Sequence, residues 1–270
     1  MKIIFILVAT AVILYLIFRN KKKSLLFTGP VPDDWKKFLN DKVKFYRLLT
    51  NDEKISFENR TQHFLNTTRI TGINTDVTIN DRLLVAASAI IPVFAFPEWE
   101  YLNLREVLLY PGSFNDNFQQ GNHDSSILGM VGSGYMEGKM ILSKPSLHRG
   151  FENENDGRNV GIHEFVHLID KADGLTDGLP EVLMTRQYAI PWLDLVREMM
   201  AEIPDKANDI NPYGSVNPQE FFSVISEYFF ERPQQLQQNH PELYEKLSLF
   251  FSTDLSKKFR TAKPTKQNQQ

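Results

Sequence analysis

His163-Glu164-Phe165-Val166-His167 is the stretch of the chain with the most chemical content. On an α-helix, residues four apart stand one above the other on one face, so two imidazoles can meet a single metal ion. Glu164 lies beside that face, within reach of a water on the same ion. Zn²⁺ binds imidazole nitrogen at about 2.0–2.1 Å, and its catalytic sites commonly use three protein ligands and leave one position for water. The ion draws the pKa of that water toward neutrality, and a carboxylate can take the proton. His-Glu-x-x-His on a helix is therefore a pattern for metal-assisted peptide hydrolysis. The rival reading is a buried helix with two satisfied histidines. Ile162, Phe165, Val166, Leu168 and Ile169 make this helix largely apolar. Two His and a Glu on adjacent turns of such a helix need compensation, which favours the metal.

Two imidazoles do not complete a catalytic zinc site. The chain has no cysteine, so the remaining ligand must come from His, Asp or Glu. No third His follows His167 at the metzincin spacing. Glu220 and Glu227 are the candidates; they lie two turns apart on one face of an apolar helix expected over Gln219 to Phe230. Both have structural alternatives. Asn217, Pro218 and Glu220 make a capping-box-like helix start, and Glu227 could pair with an arginine. Glu220 has a modest edge because it sits at the helix mouth. Tyr213 stands seven residues before Glu220, between Pro212 and Gly214. Its phenol could swing over the metal, or the residue could simply pack half-buried. His148, in an expected loop before the metal helix, reads as a surface residue or an outer partner of the site, not a ligand.

The elements that must position these residues suggest a mostly helical α+β fold. One helix is expected to carry Trp35, Phe38, Leu39, Val43, Phe45 and Leu48, with Asp33 or Asp34 as its cap. A second follows the Thr50-Asn51-Asp52-Glu53 signature, and a third runs from near Asn80 to Pro92. Arg105 to Tyr110 and Gly138 to Ser143 read as strands, with a polar loop over Asn115 to Ser126. Lys139 to Leu142 is the strand expected to line the cleft and pair with an extended peptide. Pro191 to Ile203 reads as an amphipathic helix. A net charge of −3 and a hydrophobic content of 42% are those of a globular enzyme, with no basic footprint for direct nucleic-acid binding.

Ile3 to Phe18 is an apolar run broken only by Thr10 and Tyr15, followed by Arg19-Asn20-Lys21-Lys22-Lys23. A helix of that length rises about 24 Å, against a hydrocarbon core of about 30 Å, and flanking Lys and Arg can snorkel to extend it. The length fits a signal peptide better, but no small-x-small cleavage site follows, so an uncleaved single-pass anchor is expected. The positive flank places the rest of the chain in the cytoplasm. The expected layout is an anchor with its basic flank over 1–24, a linker over 25–32, a metallopeptidase domain over 33–255 and a disordered, Gln-rich tail over 256–270.

Asn159 to Asp170 and Asn217 to Phe230, together with Val107-Leu108-Leu109-Tyr110-Pro111 and Gly138 to Ser143, resemble the Mlc titration factor A (MtfA) family of zinc peptidases. The resemblance covers roughly residues 33–251. It implies a zincin-like, gluzincin-type core, with His163, His167 and Glu220 as zinc ligands, Glu164 as general base and Tyr213 on a tyrosine of the family site. It implies aminopeptidase-like activity on a peptide substrate and, in enterobacterial members, binding to the glucose-regulon repressor Mlc. A protein regulator or repressor is therefore a second expected partner, and titration of such a repressor by a zinc-containing regulatory protein is the alternative function. The N-terminal anchor departs from the enterobacterial pattern, so a repressor would be met only at the membrane.

Overall fold

The computed structural model of the protein describes residues 27–115, 117–120, 126–184, 186–204 and 209–261. The expected anchor over Ile3 to Phe18 lies outside the described residues. Among the described residues, no helix is long and apolar enough to cross a membrane.

Among the described residues the first elements are α1 (Asp33–Lys42) and α2 (Lys44–Arg47). The single helix expected here is two, because Val43 adopts an extended conformation and buries its side chain completely. The segment from Phe27, expected as linker, is tied down. Phe27 N–H donates to Asn66 Oδ1 (2.8 Å), Asn66 Nδ2 donates back to the Phe27 carbonyl (2.9 Å), and the Phe27 ring meets Trp35 edge-on. α3 (Asn51–Thr67) opens with a capping box between Thr50 and Glu53, as its signature requires. α4 (Ile79–Ile90) has a second box, Thr78 with Asp81.

Four strands form one sheet in the order β1 (Arg69–Gly72), β2 (Glu106–Tyr110), β4 (Lys139–Ser143) and β3 (Gly129–Val131). β1, β2 and β4 are parallel; β3 runs antiparallel to β4, with Gly129 opposite Leu142 and Val131 opposite Met140. The inner strands are buried on both faces, which is why Val107-Leu108-Leu109 and Met140-Ile141-Leu142 are unbroken apolar runs. One face packs on the helices. The other holds a smaller cluster of Leu108, Tyr110, Phe114 and Ile141. This topology corrects the expected role of Lys139 to Leu142. β4 is paired on both sides, so it has no free edge for a peptide; β3 forms the edge of the sheet instead.

α5 (Lys144–Glu152) follows β4 directly and leads to α6 (Val160–Asp170). His148 lies in α5, not in a loop. Its Nε2 is 2.6 Å from Asp81 Oδ1, which pins α5 to the first turn of α4 far from any ligand role. α6 runs through the core beside α4, and the helices touch at Gly161, where a Cβ would overlap the Ser88 hydroxyl. α7 (Ala189–Glu202) and α8 (Pro218–Glu231) come next. Trp192, Phe221, Phe222, Phe250 and Phe251 pack behind α8, so its opposite face is free to serve α6. α9 (Pro233–Asn239), α10 (Pro241–Phe250) and α11 (Leu255–Thr261) close the fold. Packed structure thus continues past the boundary expected at 255. Leu255 and Phe259 reach the core, and Lys258 Nζ lies 2.6 Å from Glu53 Oε1. The polar composition of that segment hides two apolar residues at helical spacing.

Candidate metal centre

α6 and α8 lie against each other, and the chemistry lies in their seam. Asn159 caps α6: its Oδ1 accepts from Ile162 N–H (3.1 Å) and its Nδ2 donates to the Gly150 carbonyl (3.0 Å). One turn in, His163 and His167 face α8, with their Nε2 atoms 3.1 Å apart. From the first turn of α8, Glu220 Oε2 comes within 2.9 Å of His163 Nε2 and 3.4 Å of His167 Nε2. A tetrahedral ion with bonds of about 2.0–2.1 Å places its ligand atoms roughly 3.3–3.4 Å from one another. Two imidazole nitrogens and a carboxylate oxygen at these separations fit a zinc-sized cation. Among the described residues, this is the one group of three or more His, Cys, Asp or Glu that could hold a metal.

The outer nitrogens of both rings are engaged. His163 Nδ1 is 2.7 Å from Glu227 Oε1, and the other oxygen of Glu227 accepts a short hydrogen bond from Asn159 N–H. His167 Nδ1 is 3.2 Å from Ser223 Oγ. Such partners fix ring orientation and direct each Nε2 at the common point. Glu220, Ser223 and Glu227 therefore share one face of α8 for one purpose, and Glu227 pairs with histidine, not arginine. The Glu220 backbone N–H bonds to Asn217 Oδ1 (2.8 Å), so the helix start is capped as expected. The Glu220 carboxylate, however, turns to the imidazoles and does not close a capping box.

The electrostatics favour a cation. Burial works against charge on His163, but Glu227 and Glu220 overcome it and hold its imidazolium form up to about 10. Burial alone would raise the Glu220 carboxyl; hydrogen bonds from His163 and His167 hold it down at about 2. Three acidic side chains share this seam with two imidazoles, an arrangement that calls for compensating positive charge. Glu164 is the exception. Its burial raises its pKa, with the two imidazoles pulling the other way, so it holds a proton more readily than an ordinary glutamate. It lies on the β3 side of α6, against Gly129. Tyr213 sits in a single 3₁₀ turn, Pro212–Ser215, capped by Asn211. Its ring centroid is 6.0 Å from that of His163; burial, then the charges of Glu220 and Glu164, raises its pKa.

The five residues singled out by sequence, His163, Glu164, His167, Tyr213 and Glu220, are thus brought together. Of their supports, Glu227 is the one the sequence singles out; the others carry no such signal. Ser223 and Asn159 are ordinary polar residues in sequence. Asp170 carries no motif beyond its place at the end of α6, yet its Oδ2 accepts from Gly178 N–H (2.9 Å), whose carbonyl accepts from Trp192 Nε1 (2.7 Å). Gly178 abuts the carbonyl of Pro218 with no room for a Cβ, so this loop braces the turn of α8 that carries Glu220.

A mostly helical α+β fold with His-Glu-x-x-His on one helix and a carboxylate from a second at the same point defines the class of metallopeptidases. More particularly, residues 17–252 match the family model described as glucose-regulated metallo-peptidase M90, and the chain belongs to that family. It is 31% identical to an uncharacterized protein of Synechocystis sp. over 245 residues, 85% of this chain and 87% of that one. It is 27% identical to Mlc titration factor A of Pectobacterium atrosepticum over 174 residues, 61% of this chain and 65% of the relative. Against the Mlc titration factor A of Serratia proteamaculans the identity is 29% over 160 residues, 55% of this chain and 60% of the relative. The match spans somewhat under two thirds of those two relatives.

Proposed function

We propose that this protein is a zinc-dependent peptidase, aminopeptidase-like in its activity, held in the membrane by Ile3 to Phe18 with its folded domain in the cytoplasm. The observation that carries the reading is the convergence of His163 Nε2, His167 Nε2 and Glu220 Oε2 beside a buried Glu164. Those three residues would hold the ion, which when bound supplies a Lewis acid that polarises the scissile carbonyl and acidifies water. Glu164 takes the proton of the attacking water on its carboxylate and returns it to the departing amine, a role suited to a carboxyl of raised pKa. Glu227 and Ser223 keep the imidazoles aimed. The edge of β3 offers backbone groups for strand addition by an extended peptide, with the side-chain alternation of a sheet. A zinc content of about one per chain for the full-length protein, purified in detergent, supports this reading; a protein that takes up no zinc sinks it.

Tyr213 is the electrophilic helper in this scheme. Its ring lies 6.0 Å from that of His163, and its phenol would turn to the oxyanion that develops on the carbonyl. One such donor is worth about 2.7–4 kcal/mol in a protease site. Tyr213→Phe is expected to lower kcat by roughly 10²-fold, with KM and zinc content little changed. Steady-state kinetics on a short peptide provide the check, and full activity of the variant would make the phenol structural.

The membrane placement rests on the positive flank, Arg19 to Lys23, and on the apolar run of Ile3 to Phe18, which snorkelling Lys and Arg extend toward the span of a bilayer. Protease added to spheroplasts should spare the domain until the membrane is permeabilised. Digestion of intact spheroplasts would place the domain outside.

A second reading has its own support in the name Mlc titration factor A carried by relatives of 27–29% identity. On that reading the zinc orders a surface that captures a repressor protein. The two readings part at Glu164, which a capture surface does not need.

A further inference from the structure

The peptidase reading gives Glu164 a proton to carry but does not say what places its carboxylate. α6 fixes the backbone of Glu164, and the side chain points at β3. Gly129, the first residue of that strand, has space for no side chain of its own. A Cβ built there would stand 2.5 Å from Glu164 Oε1, 2.6 Å from its Cγ and 2.8 Å from its Cδ. Carbon atoms in contact keep about 3.5–4.0 Å, so the whole side chain, and not merely its tip, occupies the volume a Cβ would need.

Neither partner can retreat cheaply. Gly129 is paired with Leu142, and the adjoining Leu128 carbonyl accepts from Ser143 N–H at 2.7 Å. Those bonds tie the strand to β4, which is itself held on its other side by β2. α6 is buried between α4 and α8, with Ile162, Phe165 and Val166 in the core. Gly129 does not take a positive φ. Glycine is therefore required here by close approach and not by a turn.

We infer that Gly129 is a positioning residue for Glu164: the bare position on the edge strand is the seat of the carboxylate. The inference rests on the peptidase reading for its kinetic meaning, but the contact itself can be tested without turnover. β3 is also the edge that would pair with a peptide. The same strand would thus set the register of the substrate and the place of the base, so that the two are aligned by one element.

The experiment is a double-mutant cycle on the full-length protein in detergent, with Gly129→Ala, Glu164→Ala and the two together. Gly129→Ala should lower the thermal midpoint, since the added methyl meets an occupied site. Adding Glu164→Ala should restore the midpoint to that of Glu164→Ala alone, because the space is cleared. Zinc content should stay the same in all three, as neither residue is a ligand. On a short peptide, Gly129→Ala should reduce kcat at least about 10-fold, part of the 10²–10⁴-fold a general base contributes, with KM nearly unchanged. A wild-type midpoint and wild-type kcat for Gly129→Ala overturn the inference. So does a loss of midpoint that Glu164→Ala fails to relieve. If Gly129→Ala does not fold, recovery of folding in the double variant is the expected result and continued failure the contrary one. Stability coupling together with an inactive wild-type protein would leave the seat intact and defeat the peptidase reading instead.

Discussion

Glu164→Gln should leave zinc content and thermal midpoint near wild type while peptide turnover falls by about 10²–10⁴-fold. Glutamine has nearly the shape of glutamate, so it can occupy the same seat against Gly129. It cannot accept and return a proton at ordinary pH. Glu164 stands among the acidic groups of the seam but contributes no atom to the His163, His167 and Glu220 cluster, so metal binding should not depend on its charge. The measurement is kcat on a short peptide beside metal analysis of the same preparation. Turnover equal to wild type would remove Glu164 from the chemistry. The capture reading would then gain, since a recognition surface tolerates loss of a base.

The next largest effect is expected at Glu220. Glu220→Gln should abolish stoichiometric zinc binding, because a neutral amide is a poor ligand for this ion and the site is left with two imidazoles. Glu227→Gln should weaken zinc by about 10–100-fold, the usual cost of losing a partner that orients a ligand. Its carboxylate now accepts from both His163 Nδ1 and Asn159 N–H. An amide offers one oxygen and turns an N–H toward the other donor, so the imidazole loses part of its alignment. Competition against a metal-sensitive dye gives both affinities. Loss of zinc in Glu227→Gln with retention in Glu220→Gln would reverse the assignment.

The parts of the site that were legible in the sequence are those set by local periodicity. His163 and His167 are four residues apart on one helix, so one face follows from their spacing alone. The capping signatures at Thr50 and Asn217 are equally local; the box at Thr50 is complete, while Asn217 caps its helix without a return bond from the Glu220 side chain. Glu220 and Glu227 could not be separated that way, because both lie on the same face of α8 and only the packing of α6 decides which meets Nε2 and which meets Nδ1. β3 left almost no trace. It is three residues long and begins with a glycine, which lowers strand propensity, and its reason for being glycine is a side chain thirty-five positions later. His148 stands in a segment where Pro145 and Gly150 obscure the helical pattern. In fact Pro145 stands in the first turn of α5, where its missing N–H costs nothing.

The most direct test of the account is peptide hydrolysis by the full-length protein in detergent, before and after chelation. Peptides with a free N-terminus should be cleaved, cleavage should stop when the metal is stripped, and about one equivalent of zinc per chain should restore it. Cleavage that persists without metal, or a zinc-loaded protein that cleaves none of a broad peptide library, would contradict the account.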